Sequence, residues 1–266
     1  MVHGGNPVQD RAALRERWYA QGWFGETDLA AAFCEEDTAD GTVVFAAADS
    51  RVPLTRSQIV ADARRIARGL TDLGIGPGDV VAVQSPTSPR SLTTMVGIWL
   101  CGGVVLPVVT TLGLRDLEFI LRQSGARALC VPHRWRTIDF AAQARGLADQ
   151  LPELSTIIAL DDDPPAATAG WADLISSVPL AALPNGDPDE ICLLIYTSGT
   201  TSEPKGVQHT HNSVLAARSR SLGSVRLPLA MQELRLNVAY ETPSPMPQAA
   251  CTRESVFLAR VAMTAP

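Results

Sequence analysis

The residues best equipped for chemistry lie in one run, Ile191 to His211, ICLLIYTSGTTSEPKGVQHTH. Its opening residues, Ile191 to Tyr196, read as a buried strand, and 196–206 as a loop able to hold phosphate. The hydroxyls of Tyr196, Thr197, Ser198, Thr200, Thr201 and Ser202, with backbone N–H groups opened by Gly199, concentrate donors for phosphate oxygens within a few residues. Lys205 is the only lysine in the chain, the other 21 basic residues being arginine. A lysine carries a compact charge on a flexible stem, whereas arginine presents a rigid fork, so a reaching ammonium suits a terminal phosphate. Pro204 stiffens the approach to Lys205 and Gly206 releases it. The same residues also fit an ordinary polar turn between a strand and a helix. The hydroxyls, the glycine spacing and the single lysine together favour the phosphate loop. It is not the Walker loop G-x-x-x-x-G-K-[ST], because Lys205 precedes its glycine and no Ser or Thr follows it.

Such a loop needs elements behind it, and the chain supplies them in alternation. Asp10 caps a short helix that places Leu14 and Trp18 on one face and stops at Gly22, a surface flap. Val43 to Ala47, Asp49-Ser50 and Arg51 to Leu54 read as a small hairpin. Thr55 starts a helix with Ile59, Ala63, Ile66, Leu70 and Leu73 on one stripe, ended by Gly74. Val80 to Val83 is a strand, and Pro89 opens a helix through Met95, Ile98 and Trp99. The strand Val104 to Val109, a helix with Leu114, Leu117 and Leu121 as its stripe, and the strands Ala128 to Val131 and Thr156 to Leu160 follow. The expected fold is α/β, a mostly parallel sheet with helices on both faces and ligands at the strand ends. Asp161 to Gly170 is a solvated connector, whose adjacent carboxylates point apart in an extended chain and do not suit a metal. His209 and His211 straddle one residue. With only His3 and His133 besides them, a structural role is expected, and Thr210 or Asn212 caps the helix into Val214 and Leu215.

Composition narrows the partners. With 266 residues, 46% of them hydrophobic, the chain can bury a substantial core. A net charge of −6 without a Lys/Arg cluster argues against a nucleic-acid footprint. The five cysteines, Cys34, Cys101, Cys130, Cys192 and Cys251, are widely spaced and mostly in apolar runs, as small core residues in a reducing compartment would be. The start, MVHGGNPVQDRAALRERW, lacks an apolar export signal, so a cytoplasmic location is expected. Ser91 to Leu114 is uncharged and long enough to mimic a membrane span, but Gly97, Gly102, Gly103 and Pro107 interrupt it, as in a buried helix running into a buried strand. No membrane span is expected.

YTSGTTSEPKG resembles the third core motif of the adenylate-forming (AMP-binding) superfamily: acyl-CoA synthetases, aryl-acid ligases, peptide-synthetase adenylation domains and luciferases. Members usually have Gly where this chain has Ser202, although an SGTTSxPKG variant also occurs among acyl-CoA ligases. The resemblance covers roughly Trp18 to Ala216: Pro53-Leu54-Thr55 resembles the opening core motif, WLCGGVVLPV the second, and TLGLRDLEFILRQSGARALCV the segment after it. It is similar in flavour to aryl and alicyclic acid ligases of the dihydroxybenzoate or cyclohexanecarboxylate type. The resemblance implies that Thr197, Ser198, Gly199, Thr200, Thr201 and Lys205 hold the β and γ phosphates of ATP while a carboxylate attacks the α phosphate. Pyrophosphate then leaves and the acyl group passes to coenzyme A, with Mg2+ as the accompanying ion. The implied substrate is a carboxylic acid, aryl, alicyclic or medium-chain acyl.

Beyond Ala216 the character changes. Charge runs to +3 over 217–266 against −9 before it, and four prolines lie between Leu227 and Gln248. The expected organisation is an N-terminal α/β part, 1–216, and an atypical, poorly ordered tail, 217–266. Only LPLAMQELRLNVAY there could form an element, and Tyr240-Glu241-Thr242 is a poor echo of the family's magnesium-serving motif. In the family, the acid pocket, the ribose-binding Asp and a catalytic lysine follow the phosphate loop, and with Lys205 the sole lysine no residue can be that second one. The expectation is the N-terminal portion of an ATP-dependent carboxylic acid:CoA ligase, catalytically incomplete as it stands, with no catalytic residue and no metal ligand assigned. The alternatives are a non-catalytic ATP- or partner-binding protein on the same half-fold, and a truncated or frameshifted product whose open sheet edge aggregates.

Overall fold

The computed structural model describes residues 11–35, 43–45, 54–162, 164–165, 168–184, 186–197 and 204–222. In chain order they form α1 (Arg11–Ala20), α2 (Leu29–Glu35), β1 (Val43–Phe45), β2 (Leu54–Thr55), α3 (Arg56–Asp72), β3 (Val80–Gln84), α4 (Pro89–Leu100), β4 (Val104–Val108), α5 (Leu114–Ser124), β5 (Ala128–Val131), β6 (Arg134–Trp135), β7 (Ile138–Asp139), α6 (Phe140–Ala148), β8 (Thr156–Ala159), β9 (Ala169–Gly170), α7 (Trp171–Ser176), β10 (Ile191–Thr197), β11 (Lys205–Thr210) and α8 (His211–Leu222).

Local chemistry starts and stops the helices. Thr55 caps α3 with a capping box, its side chain accepting from the Gln58 N–H while the Gln58 amide oxygen accepts from the Thr55 N–H at 2.9 Å. Ile59, Ala63, Ile66 and Leu70 form its inner stripe and are fully buried, and Gly74 takes φ +83° as the chain leaves the helix. Ser88 and Ser91 make the same box ahead of α4, with Pro89 in its first turn. Gly97 brings α4 against α3, since a Cβ there would stand 2.6 Å from Ile66 Cγ2.

Seven strands make one sheet in the order β11-β10-β4-β3-β5-β8-β9. All its pairings are parallel except β10 with β11. From β4 to β9 the strands follow the 2-1-3-4-5 order of a doubly wound sheet, whose topological switch point lies between β3 and β5. Alternation along the strands divides the core. Val81, Val83 and Val105 meet α2, α3, α4, α7 and α8 on one face, and Ala82, Leu106 and Leu129 meet α5 and α6 on the other. Within the uncharged stretch Ser91 to Leu114, α4 runs into β4, and residues 91–108 are buried except for the part-buried Gly102 and Pro107. Among the described residues no helix is long and apolar enough to cross a membrane.

The mostly parallel α/β expectation holds, with corrections. The segment after the loop is a strand, β11, before the helix begins, so the loop closes an antiparallel hairpin. Leu73 and Leu114 are 39% and 45% exposed, Leu73 as the C-cap of α3 and Leu114 as the first residue of α5. The early hairpin is β1 paired with β2, and its turn, including Asp49-Ser50, lies outside the described residues. So do Asp10, the tail from 223 onward and Tyr240-Glu241-Thr242 within it. The expected boundary at Ala216 falls inside α8, which continues to Leu222.

Candidate functional site

The loop sits at the tip of the β10–β11 hairpin. The ladder pairs Ile191 with Thr210 at its base and Thr197 with Lys205 at its far end, so those two side chains face each other across the start and finish of the connection. Directly paired residues of an antiparallel ladder share a face. Thr197 and Lys205 therefore project together, and both are exposed. Ser198, Gly199, Thr200 and Thr201, with Ser202, lie outside the described residues. An ammonium and a hydroxyl presented side by side at a strand end can receive an anionic, multi-oxygen ligand.

Tyr196 belongs to the other face. It packs with Leu194 against the cluster under α5 and α6, whereas Ile195 packs on the opposite cluster, so its side chain lies on the face away from Thr197. Its ring crosses the strand to Gly206, where a Cβ would lie 3.0 Å from Tyr196 Cζ. Gly206 thus makes room for an aromatic ring beside the lysine, a packing role in place of the releasing role its type suggests. Burial pushes the Tyr196 phenol above its ordinary pKa.

The upstream stem is tied to the helical layer. The ladder shifts register between Ile191 and Leu193, and the carbonyl of the intervening Cys192 accepts from the Trp99 indole N–H at 2.9 Å, a buried bond from α4. The hairpin base is closed by a group of polar side chains drawn from distant parts of the chain. The Tyr19 hydroxyl of α1 donates to Asp189 Oδ2 at 2.8 Å. Asn212 Nδ2 donates to the Tyr19 oxygen and to Asp189 Oδ1, both at 3.0 Å, and Asn212 Oδ1 accepts from the Gly25 N–H at 2.9 Å. Every hydrogen-bonding direction of that amide is used except a second acceptance by its oxygen, and Asn212 is 1% exposed. Arg15 adds an ion pair to Asp189. Desolvation, then the hydrogen bond to Asp189, raise the Tyr19 pKa and keep its proton in place.

The histidines divide. His211 Nδ1 accepts from the Leu29 N–H at 3.0 Å, serving the start of α2, so its ring is structural and neutral. Burial lowers its pKa against the opposing pull of Asp28 and Glu190. His209 is also pushed down by burial, and its Nε2 has no hydrogen-bond partner among the described residues. Thr210, not Asn212, caps α8, accepting from the Ser213 N–H at 3.2 Å. In the acidic connector, the Asp161 carboxylate accepts from the His133 N–H and Asp162 binds Arg90 through both oxygens at 2.8 Å; Asp163 lies outside the described residues. Among the described residues no group of three or more His, Cys, Asp or Glu is placed to hold a metal ion.

Sequence reasoning thus locates the loop but misses β11 and the groups that anchor it. A run of exposed residues, Lys205 to Gln208, gives β11 no alternating apolar signal. Tyr19 and Asn212 stand 193 residues apart, beyond any local pattern. By contrast α2 had a signal, since Asp28 precedes an Ala-rich run and its Oδ1 accepts from the Ala31 N–H at 2.7 Å.

A family model described as AMP-binding enzyme matches residues 32–241, extending past Ala216. The chain is similar to a feruloyl-CoA synthase of an Amycolatopsis species, 33% identical over 162 residues, covering 60% of this chain and 29% of that protein. It is similar to the long-chain-fatty-acid–CoA ligase FadD13 of Mycobacterium tuberculosis, 34% identical over 176 residues, covering 63% and 32%. Among solved structures it resembles the anthranilate CoA ligase AuaEII in complex with anthranoyl-AMP, with a TM-score of 0.64 at 25% identity, covering 73% of this chain and 36% of that one. It resembles Mycobacterium smegmatis MbtA with a TM-score of 0.67 at 25% identity, covering 79% and 39%. The chain spans 29 to 32% of the length of these curated relatives.

Proposed function

We propose, because this chain belongs to the family of AMP-binding enzymes, that it is the ATP-holding N-terminal portion of an AMP-forming carboxylic acid:CoA ligase. The observation that carries the reading is the pairing of Thr197 with Lys205, the sole lysine, at the tip of the β10–β11 hairpin. In this reading Thr197, Ser198, Gly199, Thr200, Thr201 and Lys205 hold the β and γ phosphates. A carboxylate oxygen attacks the α phosphorus, pyrophosphate departs, and the thiol of coenzyme A then takes the acyl group and releases AMP. The acid is aryl, alicyclic or medium-chain acyl, and the reaction belongs to the cytoplasm. Support for the class comes from relatives named for feruloyl, long-chain fatty and anthranilate substrates. Mg2+ would accompany the nucleotide and offset its phosphate charge; among the described residues no group of three or more His, Cys, Asp or Glu is placed to hold it.

The chain as it stands binds nucleotide without completing this chemistry. Phosphoryl and adenylyl transfer depend on several charges placed around the transferring phosphorus, and with one lysine, already committed to the β and γ phosphates, a second cannot reach the α phosphate. The test is carboxylate-dependent ATP–pyrophosphate exchange across a panel of aryl, alicyclic and medium-chain acids. Exchange at the level of the buffer blank is expected; robust exchange by the purified chain would show that it is catalytically sufficient.

A further inference from the structure

Among the described residues, the hairpin that presents Lys205 is secured on one long side only. β10 is flanked by β4, but β11 is the edge of the sheet, and its residues Lys205 to Gln208 are exposed. A two-stranded ribbon twists more freely than the body of a sheet, so the inclination of β11 must be set where it is anchored. That place is the base. There the Asn212 N–H donates to the Pro188 carbonyl at 2.8 Å and the His211 N–H to the Glu190 carbonyl at 3.3 Å, joining the end of β11 to the turn that enters β10. Tyr19, Asp189 and Asn212 then close a ring of three mutual hydrogen bonds, one residue from α1, one from before β10 and one from after β11. Phe24 packs edge-on against the Tyr19 ring at 5.7 Å, which fixes its direction.

We propose that Tyr19, Asp189 and Asn212 are positioning residues for the ATP phosphates. By knotting both stems of the hairpin to α1 they set the tilt of the hairpin, and with it the place of Lys205 and Thr197 at the tip, about 20 Å from the base by strand rise. A small pivot at the base becomes a larger displacement at the tip. The helix that supplies Tyr19 precedes residue 32, where the family match begins. The inference rests on the reading of the hairpin as an ATP site.

The test uses the full chain, ATP with magnesium chloride, and calorimetric titration at a temperature where every variant is folded. Asn212→Ala should lower ATP affinity by about tenfold, within the range typical of coupled sites, and Tyr19→Phe, which removes one hydroxyl and keeps the ring, by a few-fold. The double variant should fall short of the product of the two, because both cut the same ring. Amides of Val207 to Thr210 should exchange faster in each. Ile120→Val, under the opposite face, should lower thermal stability and leave ATP affinity unchanged. Variants that are folded and bind ATP as the unaltered chain does would overturn the positioning claim alone. Failure of the unaltered chain to bind ATP would overturn the reading of the hairpin, and the positioning claim with it.

Discussion

The centre of the sheet and its hairpin edge are held by different forces. At the centre, β3 and β4 lie between helices on both faces, and Val81, Ala82, Val105, Leu106, Ile66 and Ile98 are wholly buried. Their stabilisation is apolar area removed from water, non-directional and repeated along every element. At the edge, β11 buries little, and beyond its ladder with β10 the hairpin is tied to the body by directional hydrogen bonds among Tyr19, Asp189 and Asn212 and by the Trp99 bond to Cys192 of β10. The centre can therefore lose one contact and keep its geometry, whereas the edge depends on a few satisfied polar groups. Thr197 and Lys205, proposed to hold phosphate, stand on the second kind of support. The loop also lies off the topological switch point between β3 and β5, where a doubly wound sheet ordinarily binds its ligand.

The largest effect comes from breaking the centre. Ile66→Ala removes a fully buried side chain packed at Gly97 and should cost about 2–5 kcal/mol of stability in denaturant unfolding. ATP affinity measured on the folded protein should not change. If it falls as much as stability, the two regions are not independent. Trp99→Phe cuts the bond that crosses between them. It strands the buried Cys192 carbonyl, for a loss of about 1–3 kcal/mol, and should also loosen β10, read as faster amide exchange at Leu193 to Ile195.

Acidification should act on the edge most gently. The folded-state pKa of His211 lies below its ordinary 6.5 because burial disfavours the imidazolium, so the unfolded chain binds the extra proton first. The stability contributed is whole above about pH 6.5 and is lost as pH falls through the folded value. Protonation would also end the acceptance at Nδ1 from the Leu29 N–H. Unfolding midpoints followed from pH 7.5 to 5 should decline, and His211→Gln should flatten part of that slope. An unchanged slope would place the sensitivity at His209, whose pKa burial also lowers.

The same division explains what the sequence could disclose. α3 was legible down to its cap because Thr55, Gln58 and the stripe Ile59, Ala63, Ile66, Leu70 are all local signals. β3, β4, β5 and β8 were legible because short apolar runs between helix-length segments leave little choice of element. Thr197 and Lys205 stand out by type and spacing, and the structure pairs them across the ladder. β11 is hidden in the sequence because an exposed strand has no apolar alternation, and the type of Gly206 suggests flexibility where its neighbour across the ladder requires space. α1 read as a flap because its tie to Asp189 and Asn212 consists of single polar side chains separated by 170 and 193 residues. No periodicity encodes such a contact.

The measurement that bears most directly on the hairpin as a phosphate site is titration of ATP into the unaltered chain and into Lys205→Ala, with thermal unfolding of both. Lys205 is exposed and outside the core, so the two proteins should unfold at the same temperature. Loss of one charge-assisted contact should weaken ATP binding by roughly 10- to 100-fold. Equal affinity in the two proteins, or no binding by either, would contradict the assignment.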